Sequence, residues 1–154
     1  MTRARPRLAL AVQYAVRHDA LPPPARLSRW ARAAIERDAR LTLRFVGRPE
    51  GRRLNALYRG KDYATNVLAF VYDGATAIQG DVVLCAPVLR REAALQRKTL
   101  AEHCAHLVVH GILHLQGYDH DTERGAAAME ARETAILAAL GIADPYAGRA
   151  PARR

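Results

Sequence analysis

Long apolar stretches are absent from this 154-residue chain. It contains no run of roughly eighteen uncharged apolar residues, the length that a membrane-spanning helix needs. Cysteine is scarce as well. Cys85 and Cys104 are the only two, too few for a disulfide scaffold, and both are expected as buried free thiols. Acidic residues are outnumbered, 15 against 24 lysines and arginines, for a formal charge of +9. A basic surface attracts polyanions. An arginine-rich, GC-biased proteome would give the same excess, so charge alone is weak ground for a nucleic-acid partner. There is no internal repeat and no sign of a second domain; the length is that of one domain, residues 1–154. The basic start, Met1 to Arg7, leads into an apolar run of only Leu8 to Ala11 with no cleavage site after it. That is too short for a signal peptide, and the expected location is cytoplasmic. Residues 1–7 and 147–154 are expected to be flexible basic tails.

What is present is enough for a sizeable core, half of the residues being hydrophobic. Leu8 to Val16 reads as a strand, and Pro22-Pro23-Pro24 as a stiff connector. Leu27, Trp30, Ala31, Ala34 and Ile35 fall on one helical stripe. Leu41 to Val46 alternates as a half-buried strand does. Gly47 to Glu50 reads as a turn, 51–58 as a short helix and 59–64 as a polar loop. Asn66 to Tyr72 and Gln79 to Cys85 read as two strands joined by a hairpin turn at Asp73-Gly74. Pro87 opens a charged helix. Thr99 and Glu102 have the spacing of a capping box ahead of another helix. Asp121 or Thr122 caps a last helix, which Gly141 ends. Strands and helices mixed along one chain predict an α+β domain.

The densest chemistry lies in His110-Gly111-Ile112-Leu113-His114-Leu115-Gln116-Gly117-Tyr118-Asp119-His120. His110 and His114 are four apart, one helical turn, and so share a face. Gly117 suits the residue after the helix, where the chain turns back, and His120 follows. Three imidazoles can converge on one ion with a fourth position open, the ligand count of a catalytic zinc. Apart from the two histidines and Gly111, every residue from Leu107 to Leu115 is apolar. The helix is therefore expected to be buried all round, and the ion to contribute to stability by satisfying buried imidazoles. Ordinary core histidines are the bland alternative. They explain a lone histidine better than they explain this triple. His106 is also four from His110, but His114, Gly117 and His120 complete a better site from the other side. Asp119 and Asp121 flank His120; either could hold a histidine N–H, though aspartates are common in turns.

The H-x3-H-x2-G-x2-H spacing matches the long zinc-protease motif. Those enzymes carry a glutamate base directly after the first histidine. Here that position is Gly111, which cannot take a proton.

The segment through Gly117-Tyr118-Asp119-His120 resembles the signature of the YbeY family of metal-dependent endoribonucleases. Leu54-Asn55, Tyr58-Arg59-Gly60-Lys61-Asp62, Thr65-Asn66-Val67-Leu68, Gly80-Asp81, Met129-Glu130-Ala131-Arg132-Glu133 and Asp144-Pro145-Tyr146 are similar to family motifs in the same order. One departure is Ala69-Phe70-Val71, where the family usually has Ser-Phe-Pro. The resemblance implies a small mixed sheet packed with helices and a zincin-like metal site beside it. It also implies an endoribonuclease that cleaves single-stranded RNA in rRNA processing, notably 16S rRNA 3′-end maturation and ribosome quality control, with the ribosome or its small subunit as partner. DNA and membranes are not expected as partners.

Three imidazoles favour zinc over magnesium, which prefers oxygen ligands, so one Zn2+ per chain is expected at His110, His114 and His120. Charge developing on a cleaved phosphodiester also wants a fixed cation, and arginine offers phosphate a bidentate fork. Arg59, in the polar loop, is the catalytic candidate; the resemblance implies that the arginine of this motif is functionally important. Two other readings stay open, a metallohydrolase of another class such as a peptidase and a non-catalytic ribosome-binding factor with a structural metal.

Overall fold

Alternation of side chains across one sheet divides the core in two. The computed structural model describes residues 5–17, 20–72 and 76–147. Its four strands are β1 (Leu8–Tyr14), β2 (Ala39–Val46), β3 (Val67–Val71) and β4 (Ile78–Cys85), in the order β1-β2-β4-β3. β1, β2 and β4 run parallel, and β3 is antiparallel to β4 at the edge. Leu41, Leu43 and Phe45 of β2 and Val82 and Leu84 of β4 turn to the larger core. Their alternates Val46, Val83 and Cys85 turn to a smaller one with Leu68. The α+β reading, a small mixed sheet packed with helices, is borne out.

The larger core is covered by α1 (Pro24–Ala34), α4 (Leu100–Leu115) and α5 (Glu123–Ala139). Pro24 stands in the first turn of α1, where a missing N–H leaves no bond unmade. Trp30 and Leu27 lie buried on the stripe expected of them. α2 (Arg48–Arg59) covers the other face, and α3 (Ala86–Leu95) joins both cores, Leu89 in the larger and Val88 against the smaller. α4 packs against α1, α3, α5, β3 and β4, so it is the pivot of the domain. Its start is the expected capping box. Thr99 Oγ1 accepts from the Glu102 N–H at 3.1 Å, and a Glu102 carboxylate oxygen accepts from the Thr99 N–H at 2.9 Å. Both cysteines are free and buried, and burial pushes the Cys104 thiol up to about 12.

Three expectations need correction. α2 starts at Arg48, inside the stretch expected to be a turn. Gly47 caps it, Pro49 lies in its first turn and Glu50 adds an acid there, which together make a helix start. It also runs one residue further, so Arg59 is the last residue of a helix and not part of the loop. Gly60 ends α2 at φ 69, a conformation that glycine adopts without strain.

The third correction concerns α4, which is not buried all round. His114 is exposed and the His110 side chain is 22% exposed. The sheet and three helices cover the rest of α4 and leave one strip open along these residues. The Asp73-Gly74 turn lies outside the described residues. The strands on either side of it pair as a hairpin, with Val71 opposite Gly80 and the Tyr72 N–H on the Gln79 carbonyl at 2.8 Å. Val71, at the departure from the family pattern, thus stays in register. At the other end, the Arg7 N–H donates to Asp38 at 2.8 Å, which ties down the last residue of the expected N-terminal tail. Of the expected C-terminal tail only Ala147 is described.

Gly111 is fixed by packing. A Cβ there would sit 2.7 Å from Val82 Cγ1, a short branched side chain buried in the core. Position 111 therefore points at the sheet, and no base could act from it. Gly111→Glu is expected to destabilise the fold by about 2 kcal/mol or more, from overpacking and a buried carboxylate. An unchanged melting temperature would refute the close approach.

Candidate active site

The open strip of α4 forms one wall of a cleft of about 900 Å3. His110, His114 and His120 line it, opposite β3 and the end of α2. The turn that carries His120 is anchored at its base. Gln116 donates to the Ala34 carbonyl at 2.9 Å and accepts from the Glu36 N–H at 2.7 Å, while the Tyr118 hydroxyl donates to Glu36 at 2.8 Å. Gly117 takes φ 97, the turn expected of it. The rings of His110 and His120 stand 5.6 Å apart. His114 reaches solvent but stands partly enclosed in the cleft; that partial desolvation lowers its pKa, and the neighbouring His110 and His120 act in the same direction against Asp119 and Asp121. That favours the neutral imidazole, the form that ligates a metal. Among the described residues, no three His, Cys, Asp or Glu side chains are drawn together tightly enough to be a metal cluster as they stand.

A residue given no role from the sequence completes the arrangement. Glu133 of α5 is fully buried. One carboxylate oxygen accepts from His110 Nδ1 at 2.5 Å; the other is shared by His106 Nε2 at 3.2 Å and the Tyr146 hydroxyl. Burial by itself raises the pKa of this carboxyl. The hydrogen bonds from His106, His110 and Tyr146 outweigh burial and hold it at about 2. With Nδ1–H committed to Glu133, His110 keeps Nε2 as its lone-pair nitrogen, the tautomer that a metal ligand requires. Three imidazoles on one cleft, one of them backed by a buried carboxylate, are donors of the type that transition metals take. His106 bonds to Glu133 and Tyr146 and does not line the cleft of the three histidines. The carboxylate that holds a histidine is Glu133 and neither flanking aspartate. Asp119 accepts from the Asp121 N–H at 3.1 Å, which is turn chemistry.

A signal for Glu133 was available. Met129, Glu133, Ile136 and Leu137 form the buried stripe of α5, and a glutamate on such a stripe demands buried partners.

Arg59 lines the same cleft and is exposed. Among the described residues it makes no hydrogen bond or ion pair. Two arginines nearby are paired, Arg44 with Glu50 at 2.8 Å and Arg52 with Asp62 at 2.7 Å; of the arginines of α2 only Arg59 lines the cleft. Buried Asn55 donates to the Tyr63 carbonyl at 2.8 Å and, with the Arg52–Asp62 pair, fixes the loop after Arg59. Arg59 thus stands on a fixed base in the cleft with the histidines.

Comparison with known proteins bears on the family and the fold. The family model for endoribonuclease YbeY matches residues 24–141. Endoribonuclease YbeY of Aromatoleum aromaticum is 56% identical over 147 residues, which cover 94% of this chain and 96% of the relative. That of Methylibium petroleiphilum is 54% identical over 145 residues, covering 94% and 97%. The solution structure of TM1509 from Thermotoga maritima shares the fold, with a TM-score of 0.57 at 22% identity, covering 94% of this chain and 99% of that one. On the length and identity of these matches, the chain belongs to the endoribonuclease YbeY family.

Proposed function

We propose that this endoribonuclease is zinc-dependent, cleaves single-stranded RNA, and works in the cytoplasm on ribosomal RNA, with the 3′ end of 16S rRNA as substrate and the ribosome or its small subunit as partner. Family membership makes it a hydrolase of RNA phosphodiester bonds in rRNA processing, of a metal-dependent kind. No described helix is long and apolar enough to cross a membrane. The observation that carries the reading is one cleft lined by His110, His114, His120 and an uncommitted Arg59.

In this reading the three histidines hold the metal, which when bound supplies a Lewis acid for a phosphoryl oxygen. Glu133 keeps His110 in its ligating tautomer. Arg59 binds the scissile phosphate through two parallel N–H donors and stabilises the charge that grows on it.

A peptidase fits less well, because Gly111 stands where the base would be and its Cβ direction is filled by Val82. A purely structural metal fits less well too, since structural zinc is closed off by four protein ligands and these histidines face an open cleft.

The test is metal-loaded protein against labelled single-stranded RNA, double-stranded RNA and casein, with and without chelator. Cleavage of single-stranded RNA alone, lost in chelator, is expected. Casein cleavage, or RNA cleavage indifferent to chelator, would contradict the proposal.

A further inference from the structure

The nuclease cleft also gathers exposed apolar surface. Six large apolar side chains among the described residues are left exposed, and four of them, Tyr58, Tyr63, Val71 and Tyr72, line this cleft. The three tyrosines are 61%, 56% and 52% exposed. Half-exposed rings forgo burial worth about 25 cal/mol per Å2, and clustered apolar surface marks a binding site. Two of the rings are also held, and the backbone of the third. Tyr58 packs edge-on against Phe70, centroids 4.9 Å apart. The Tyr72 hydroxyl donates to Asp81 of β4. Tyr63 stands where Asn55 holds its carbonyl.

None of the groups assigned so far can tell a single strand from a duplex. Histidine-held metal and Arg59 address phosphate, which both forms carry, and phosphate contacts position a nucleic acid without reading it. Unpaired bases differ from paired ones in having free π faces, which stack on aromatic side chains; duplex bases are already stacked on each other. Resting on the reading of this cleft as an RNA site, we propose that Tyr58 and Tyr72, with Tyr63, form a stacking platform for the unpaired bases beside the scissile phosphate. The platform is the source of the preference for single strands. Tyr58 adjoins Arg59 in the chain, so a base and its neighbouring phosphate meet adjacent residues.

Binding of a fluorescein-labelled twelve-nucleotide RNA, measured by anisotropy in chelator so that turnover does not intrude, tests this. Tyr58→Leu and Tyr72→Leu should each weaken single-strand binding roughly tenfold, the loss of one stacked base. Duplex binding should stay as in the unsubstituted chain. Tyr58→Phe should retain binding, since the ring carries the contact, and Tyr72→Phe, which also gives up the bond to Asp81, should bind better than Tyr72→Leu. Abasic sites in the RNA should erase the difference between the leucine variants and the unsubstituted chain. Unchanged affinity in both leucine variants, phenylalanine variants as weak as leucine, or equal loss on duplex RNA would each overturn the proposal. So would a dimer that Tyr58→Leu dissolves, which would assign the patch to a second copy of the chain. The affinities need no turnover. A chain that bound RNA through these rings without cleaving it would therefore contradict the nuclease reading and leave the platform standing.

Discussion

Arg59→Ala is expected to lose RNA cleavage by a hundredfold or more while its metal content and melting temperature stay those of the unsubstituted protein. The size follows from removing one donor to transition-state charge, about 2.7–4 kcal/mol. The selectivity follows from the structure. Arg59 ends α2, is exposed, and makes no hydrogen bond or ion pair among the described residues, so truncating it strands no partner. Arginine stays charged in proteins and cannot ligate zinc in that state. Arg59→Lys should restore little, because a point charge replaces a planar fork. Steady-state cleavage of a labelled single-stranded RNA, elemental analysis and a thermal melt decide the matter together. Full cleavage by Arg59→Ala removes it from the mechanism; lost cleavage with lost metal makes it structural.

Glu133 should show the opposite profile, a large effect on metal and fold from a residue remote from the phosphate. Glu133→Ala leaves His106, His110 and Tyr146 without their common acceptor. A buried donor left unsatisfied costs about 1–3 kcal/mol; His106 and Tyr146 keep each other at 3.1 Å and the partly exposed His110 can reach water, so the loss should be about 1–3 kcal/mol. Glu133→Gln keeps the volume and one acceptor oxygen but gives up the charge that orders three donors. Zinc affinity should fall about 10–100-fold, as it does when the partner of a ligating histidine is removed. Competition with a chromogenic chelator reads this separately from a thermal melt. A Gln variant with unchanged zinc affinity would reduce Glu133 to a structural residue.

The stability expected from the metal shrinks by the same geometry. On sequence alone, losing the ion strands two buried imidazoles. In the structure, His110 retains Glu133 and His114 reaches solvent. Chelation should then lower the melting temperature only by removing a bound ligand, in proportion to zinc concentration over Kd.

Residue by residue, local chemistry was legible and long-range contacts were not. The capping box at Thr99, the turn at Gly117 and the alternation of β2 depend on neighbours within a few positions, and each appears where the spacing puts it. The four-residue spacing of His110 and His114 fixes a shared face in the same way. The start of α2 differs from the expected turn because glycine and proline signal turns and helix starts alike, and Glu50 in the first turn is the residue that favours the helix. The exposure of His114 was misread because an apolar pattern cannot say which strip of a helix its neighbours leave uncovered. Glu133 was seen as part of a motif but not as a partner of His110, because that contact joins α5 to α4 across 23 positions. The tyrosines of the cleft come from α2, the loop after it and the end of β3, and only the fold assembles them.

The central claim is that His110, His114 and His120 hold one zinc ion per chain, and its most direct test is zinc content. The unsubstituted chain and His114→Ala would be loaded with zinc identically, dialysed, and measured by elemental analysis, with circular dichroism as the check on folding. His114 is exposed, so its truncation should leave the fold intact. The account predicts one zinc per chain in the first and none in the second, both folded. Equal zinc in the two proteins would contradict it.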